Sequence, residues 1–417
     1  MGNNIILRKV EFSNGIVHFK FDKEGPVSNL LVSNELWIDY GRNMESVPES
    51  ILVIPFVSIM LPFVWVSNAT IWVKEIDHTF YDATFRLRRA YSDLYPNYPL
   101  KGKIVPSYIV DNFVDNKSDG FMLFSGGLDA HASFIRNVND IKTLINIQGW
   151  YNNTKDRDNV AIADFKDIAA FSKIQDLDFI GIRSNFAKLV SLSHYQYYAK
   201  RIGDSLWHGF QHSMAFISIT IPLVYLNNGG KILIASSFTV GDERVCASYP
   251  TTDNEFAFAS NGHVVHDGFE LSRQDKIRVL VEHQRLIGKD YPIRVCSFND
   301  KNCCKCEKCF RTILGLVAEG VDLEKFGFYL DKPILEFYTE FFKANIALFG
   351  VKNEAITHWP HIKKRMSENY DNLGDYKNFV DWFNSYDFSK EKRKAIWKYY
   401  RKNFFQILKR KLNLSNG

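Results

Sequence analysis

At 417 residues the chain exceeds what one ordinary core supports and reads as two or three domains. Its 46% apolar and 15% aromatic content excludes wholesale disorder. The formal charge of +5 is uneven: ten Lys/Arg against one Glu lie between Lys390 and Leu412, so the rest of the chain is mildly acidic. Such a body argues against a nucleic-acid-coating protein, whose basic footprint lies on the folded domain. The opening MGNNIILRKVEF holds no apolar run of signal-peptide length, and Ile6 breaks the myristoylation pattern after Gly2. A cytoplasmic protein is the default expectation.

In chain order, residues 1–115 read as an N-terminal α+β accessory domain. IVHFKF, LWIDYG and ATIWVKEI carry the β-branched and aromatic pattern of strands, and DATFRLRRAYSDLY has helical spacing. The run Ile51–Val66 is interrupted by Pro55 and Pro62 and falls short of the roughly twenty residues of a spanning helix. It reads as buried core, a short helix leading into a strand. The Pro-, Asn- and Asp-rich stretch 97–120 reads as a domain boundary.

From Phe121 the rhythm becomes strand, helix, strand. FMLF, TLINIQGW, DFIGIRSN and KILIASSF are predicted strands, with helices over 129–138, 160–174 and 207–226 between them. This alternation predicts an α/β domain over 116–325 with a parallel sheet covered on both faces. Ligands bind such sheets at the carboxyl ends of the strands, where Ser125, Gly149, Ser184 and Ser236 fall. Residues 326–417 read as a helical C-terminal region.

Between the first strand and its helix stands Ser125-Gly126-Gly127-Leu128-Asp129. Two glycines at a strand exit are entropically expensive and let backbone approach something closely. A Gly-rich turn feeding a helix N-terminus makes an anion cradle of N–H groups and helix dipole. The spacing matches neither a Walker A loop nor a dinucleotide fingerprint.

The second motif is Cys-rich. Five of six cysteines crowd into CSFNDKNCCKCEKC, and Cys296, Cys303, Cys306 and Cys309 give C-x6-C-x2-C-x2-C. Four thiolates so spaced can close around Zn²⁺; an iron–sulfur cluster is the chemical rival. Cys304 is a spare that could replace Cys303, and Cys246 reads as a small loop residue.

Together, the glycine loop and the C-terminal cysteine knuckle resemble the PP-loop ATP pyrophosphatase superfamily, nearest to 7-cyano-7-deazaguanine synthase-like proteins with a four-cysteine zinc knuckle. The resemblance covers roughly 119–320. It implies an adenine-nucleotide alpha-hydrolase-like, Rossmann-like fold with ATP, Mg²⁺ and Zn²⁺ as cofactors. It also implies adenylylation of a carboxylate or carbonyl oxygen of a small-molecule acceptor, release of pyrophosphate, and displacement of AMP by ammonia or another nucleophile. By position, Ser125, Gly126, Gly127 and Asp129 match the phosphate loop, with Ser125 and Asp129 in the catalytic role. The family's closing serine is Ala130 here. No N-terminal glutaminase is evident, so nitrogen would come from free ammonia, a partner subunit or an amine. Alternatives are a tRNA- or nucleobase-modifying PP-loop enzyme, and a non-catalytic ATP-binding subunit of a larger assembly such as a phage-defence complex.

Other candidates keep two readings each. Gly149 leaves room for adenine or simply ends a strand. His208 binds nucleotide or caps a helix. Ser236 and Ser237 touch nucleotide or substrate, or make a turn. Asp242 and Arg244, with Glu243, face an acceptor or form a solvated loop. Asp267, Glu270, Arg273 and Lys276 share helical spacing, near phosphate and acceptor or as a surface ion-pair row. No serine or cysteine triad stands out. Ile396, Tyr400, Phe404, Ile407 and Leu408 form one side of a basic tail over 390–412, suited to an anionic membrane, to packing on the domain, or to RNA or another acidic partner.

Overall fold

A computed structural model of the chain describes residues 2–115, 120–149, 155–202, 205, 207–241, 245–296, 299–349 and 358–413, with side chains described except at 155–160, 399 and 402–413. It divides into two compact units, Met1–Glu270 and Leu271–Gly417.

The first unit is built on one eleven-stranded sheet. β1 (Asn4–Ser13) and β2 (Ile16–Glu24) form an antiparallel hairpin. Its turn is Asn14-Gly15, both at positive φ, the backbone a tight two-residue hairpin requires. β3 (Glu35–Asp39) adds antiparallel to β2. α1 (Glu49–Ser67) follows, then β4 (Thr70–Asp77), α2 (His78–Leu94) and β5 (Lys103–Val110). β4 lies parallel to β1, and β5 parallel to β4.

The alternating half comprises β6 (Gly120–Leu123), α3 (Leu128–Arg136), β7 (Ile141–Gln148), α4 (Lys155–Ile174) and β8 (Asp178–Ser184). It continues through α5 (Leu192–Ile202), a π-turn over Trp207–Gln211, α6 (His212–Leu226) and β9 (Lys231–Ala235). The single-turn α7 (Pro250–Asp253), β10 (Ala257–Phe258) and β11 (Gly262–Asp267) close the unit.

The sheet order is β10-β11-β9-β6-β7-β8-β3-β2-β1-β4-β5, and β11, β9, β6, β7 and β8 are mutually parallel. Numbered among themselves from the β8 side, these five stand 3-2-1-4-5, the doubly wound order. The expected α/β architecture is therefore present, with its order reversing between β6 and β9.

Several expectations are corrected. Residues 1–115 are not a separate body, because β3 pairs with β8 (Ile38 with Ser184, Asp39 with Arg183) and the compact unit runs on to Glu270. The stretch read as a boundary contains β5. Ile51–Val66 belongs to one 19-residue helix, α1, without a following strand inside the run. Both prolines are accommodated within it, and every residue from Ser50 to Val66 is buried. A helix apolar all round must be covered all round; α1 packs against α6 and β4. Phe56 stacks on Phe19 at 5.8 Å, and truncating such a ring costs roughly 3–5 kcal/mol. By length and composition α1 and the 207–226 helix are apolar enough to cross a membrane, but 94% and 78% of their apolar windows are buried within the fold.

The second unit is helical: α8 (Arg273–Ile287), α9 (Glu307–Ala318), and helices over Ile334–Asn345, Trp359–Glu368, Lys377–Ser385 and Phe388–Asn413. α8 starts at a capping box in which Ser272 and Asp275 satisfy each other's backbone N–H. Asp267 ends β11 and Glu270 precedes α8, so the four charges 267, 270, 273 and 276 do not share one helix face.

Candidate functional site

The glycine loop follows β6, the strand beside which the sheet order reverses. Phe124 N donates to Ile145 O at 2.8 Å, holding the strand exit against β7. Gly126 has φ +73°, a left-handed conformation that disfavours a side chain. Gly127 is different: its φ of −85° suits any residue, and among the described residues an added Cβ would meet only Ser125 Oγ, at 3.5 Å. The backbone at 127 therefore tolerates other residues, although glycine suits the N-cap position it occupies. Gly127 N donates weakly to Ser125 Oγ at 3.4 Å, Ser125 is exposed, and Asp129 lies in the first turn of α3. Ala130 is 3% exposed and packs with Met122, Phe124, Phe134, Leu144 and Ile168.

Beside the loop, the end of β7 holds a buried polar chain that sequence reasoning missed. Asn146 Nδ2 donates to Phe124 O at 2.8 Å, and Gln148 Nε2 donates to Asn146 Oδ1 at 2.7 Å and Asp164 Oδ2 at 3.2 Å. Two amides among the apolar residues at the end of β7 were the available signal, since buried polar groups persist only when paired. Gly149 is required for a structural reason. With φ +115°, its missing Cβ makes way for the Ser184 carbonyl of β8 rather than for adenine.

Ser236 makes turn chemistry: its Oγ donates to Phe238 O at 2.9 Å and also lies 3.3 Å from Phe238 N. Ser237 is exposed. His208 sits in the π-turn, its N–H donating to Ser205 Oγ at 3.1 Å and its ring edge-on to Phe238, which places it near the exit of β9. Asp242 and Arg244 lie outside the described residues. Lys276, in α8 of the second unit, is 3% exposed.

A buried histidine cluster was also not foreseen. His266 Nδ1 and Asp253 Oδ2 are 2.7 Å apart with both side chains fully buried, and Ser248 Oγ donates to the same carboxylate oxygen at 3.0 Å. Burial holds His212 near a pKa of about 4, against a smaller opposing pull from Asp253. A Ser13–His18–Glu35 hydrogen-bond chain (3.0 and 2.8 Å) crosses β1 to β3, but it lies at the water-exposed sheet surface, where such contacts carry little energy.

The cysteines in the second unit do converge. Sγ atoms of Cys296, Cys303, Cys306 and Cys309 all lie within 4.8 Å of one another. A tetrahedral ion with Zn–S bonds of about 2.3 Å needs S···S near ~3.8 Å, and Cys303 and Cys309 already stand at 4.0 Å. The local turns are fixed by N–H···S bonds: Cys306 N to Cys303 Sγ at 3.2 Å and Cys309 N to Cys306 Sγ at 3.5 Å. Cys306 also caps α9, so the helix dipole favours thiolate there. Asn302 ties the knuckle down, donating to Ile293 O (2.8 Å) and Gly327 O (3.0 Å) and accepting from Val295 N (3.0 Å).

As thiols the group shares charge unequally. Hydrogen bonds from Cys306 and Cys309 hold Cys303 well below the ordinary thiol range, and the same contacts push Cys306 up to about 12 and Cys309 higher still. That is a set whose protons a cation would displace. Cys304 is not part of it: at φ +55° its Sγ turns to Tyr329 O at 3.4 Å, and burial raises its pKa to about 11. The knuckle can thus hold a metal ion such as zinc through the four expected ligands.

Compared with known proteins, the sequence matches no family model and no curated protein. The functional reading therefore rests on the fold and the two sites.

Proposed function

We propose that the chain is a PP-loop-type ATP pyrophosphatase that adenylylates a carboxylate or carbonyl oxygen of a small acceptor. The observation that carries this reading is Gly127. It caps the N-terminus of α3 at a φ of −85°, with space for a ligand above it, beside the switch point of a doubly wound parallel sheet.

In the proposed reaction the acceptor oxygen attacks the α-phosphorus of ATP. The bond to the bridging oxygen breaks and pyrophosphate leaves with its electron pair. Ammonia or an amine then attacks the activated carbon, loses a proton, and AMP departs. The N–H groups of Gly126 and Gly127, the Ser125 hydroxyl and the α3 dipole would hold the leaving pyrophosphate. Asp129, one turn into the helix, would hold Mg²⁺, which supplies charge neutralisation of the phosphates. Catalysis here is positioning and charge stabilisation, with no covalent enzyme intermediate. The four-thiolate centre would carry a structural Zn²⁺, since all four ligands come from protein and leave no open position.

The test is product analysis with ATP, Mg²⁺, ammonium and a metabolite pool, beside an Asp129→Ala control. AMP and pyrophosphate that vanish in the control support the proposal. ADP and phosphate overturn it. ATP bound but intact, with whole-cell extract also supplied, would instead identify a nucleotide-sensing subunit.

A further inference from the structure

The terminal helix Phe388–Asn413 changes character along its length. Its start is anchored: Phe388 is 5% exposed, and its ring meets Trp359 at 4.8 Å, Tyr386 at 4.6 Å and Phe342 at 5.2 Å. Lys392 Nζ donates to Phe349 O at 2.5 Å. Beyond that point burial ends. Ile396, Trp397 and Tyr400 are 36%, 63% and 57% exposed, although helical spacing puts them on one side. The sequence continues the row with Phe404, Ile407 and Leu408 at the same spacing. Lys and Arg alternate with these residues along the sequence, and the Arg401 guanidinium lies 5.3 Å from the centre of the Trp397 ring.

We propose that this helix docks on an anionic membrane surface, with the Ile396–Trp397–Tyr400 side immersed at the headgroup level. Charge complementarity names the occupant. Ten basic residues against one acidic over Lys390–Leu412 face a negative headgroup layer favourably, each basic side chain adding to the attraction within a Debye length. Composition separates lipid from nucleic acid. Single-stranded RNA is held by aromatic faces that stack on bases, whereas half of this row, Ile396, Ile407 and Leu408 beside Trp397, Tyr400 and Phe404, is branched aliphatic with no face to stack. Trp and Tyr favour the interface, aliphatic groups the acyl boundary, and long Lys and Arg side chains extend back to phosphate. The anchored first turn keeps the row attached to the second unit, so docking brings the whole chain to the surface.

The full-length protein is cosedimented with vesicles of phosphatidylcholine alone and with roughly a third phosphatidylserine. Expected is binding to the anionic vesicles at least about tenfold tighter than to the neutral ones, weakened by high salt. Trp397→Ser/Tyr400→Ser should lose about tenfold on anionic vesicles while melting at the wild-type temperature, because both residues are exposed. Lys394→Glu/Lys398→Glu should lose binding as well. No binding to either vesicle, equal binding to both, or full binding by the Trp397/Tyr400 variant overturns the proposal. Tighter binding to a single-stranded RNA than to anionic vesicles overturns it in favour of a nucleic-acid partner. AMP production in solution is measured on the same variants and is expected to be unchanged, which keeps this inference separable from the ATP reading.

Discussion

Gly127→Ala is the most discriminating single substitution, because the fold and the proposed ligand ask different things of that position. For the fold, the change is mild. The backbone at φ −85° and ψ 174° is open to alanine, and among the described residues its Cβ would meet only Ser125 Oγ, at 3.5 Å. As the N-cap of α3, glycine is preferred to alanine by about 0.5–1 kcal/mol, a shift of a few degrees at most in melting temperature. For a bound phosphate, the change is severe. A phosphate oxygen on the proposed cradle needs to approach the N–H groups to about 2.9 Å, and a methyl on the same residue would crowd that approach. Losing one charge-assisted hydrogen bond, worth about 1.5–3 kcal/mol, weakens ATP binding roughly 10- to 150-fold. Titration calorimetry with Mg²⁺-ATP, paired with thermal melts, reads both quantities. Gly126→Ala is the companion: its φ of +73° predicts about 1–2 kcal/mol of lost stability, although the space around it is open. If Gly127→Ala binds ATP with wild-type affinity, the loop does not cradle phosphate and the proposed chemistry fails with it.

Four further outcomes follow from the geometry. Cys303→Ser should abolish stoichiometric metal by elemental analysis and lower the melting temperature, whereas Cys304→Ser, outside the cluster, should leave metal content unchanged. Gly149→Ala should cost more than Gly126→Ala in urea unfolding, because its Cβ collides with the Ser184 carbonyl in addition to the strained φ. Arg365→Ala should cost about 3 kcal/mol, since it strands the Glu319 carboxylate, which is 4% exposed and otherwise held by Arg365 at 2.9 and 2.7 Å and by Gln274 at 2.8 Å. His212 titrates near 4 when folded and near 6.5 when unfolded, so its contribution is complete above pH 6.5 and lost as pH falls toward 4. Up to about 3 kcal/mol rides on that window; His212→Gln should flatten the stability profile there, and an unchanged slope would place the acid sensitivity elsewhere.

The parallel core was legible because buried parallel strands are predominantly apolar: 121–124 and 232–235 are unbroken apolar runs and 143–148 is apolar apart from Thr143, Asn146 and Gln148, all flanked by helical spacing. The cysteine cluster was legible because ligand spacing is local. α1 was not, since a run apolar on every side has no period to separate helix from strand. β5 was hidden by Pro106, which a central strand excludes and an edge strand tolerates; β5 is the edge. Asp253 and His266 meet through the approach of α7 to β11, and Gly149 is constrained by a carbonyl of the neighbouring strand. Neither contact leaves a mark in adjacent residues.

The join between β3 and β8 has a consequence for anyone who would shorten the chain. Only two residue pairs form the ladder there, yet side chains lengthen it: Ser184 Oγ donates to Trp37 O at 2.8 Å, while Asn185 accepts from Trp37 N at 2.8 Å and donates to Glu35 O at 3.0 Å. The first hundred residues therefore act as a guard for the edge of the parallel sheet rather than as a detachable module. A truncated chain beginning near residue 116 would present β8 with its N–H and C=O groups unpaired, an edge that recruits other copies of itself. Its insolubility would then report a missing neighbour, not an intrinsically poor fold.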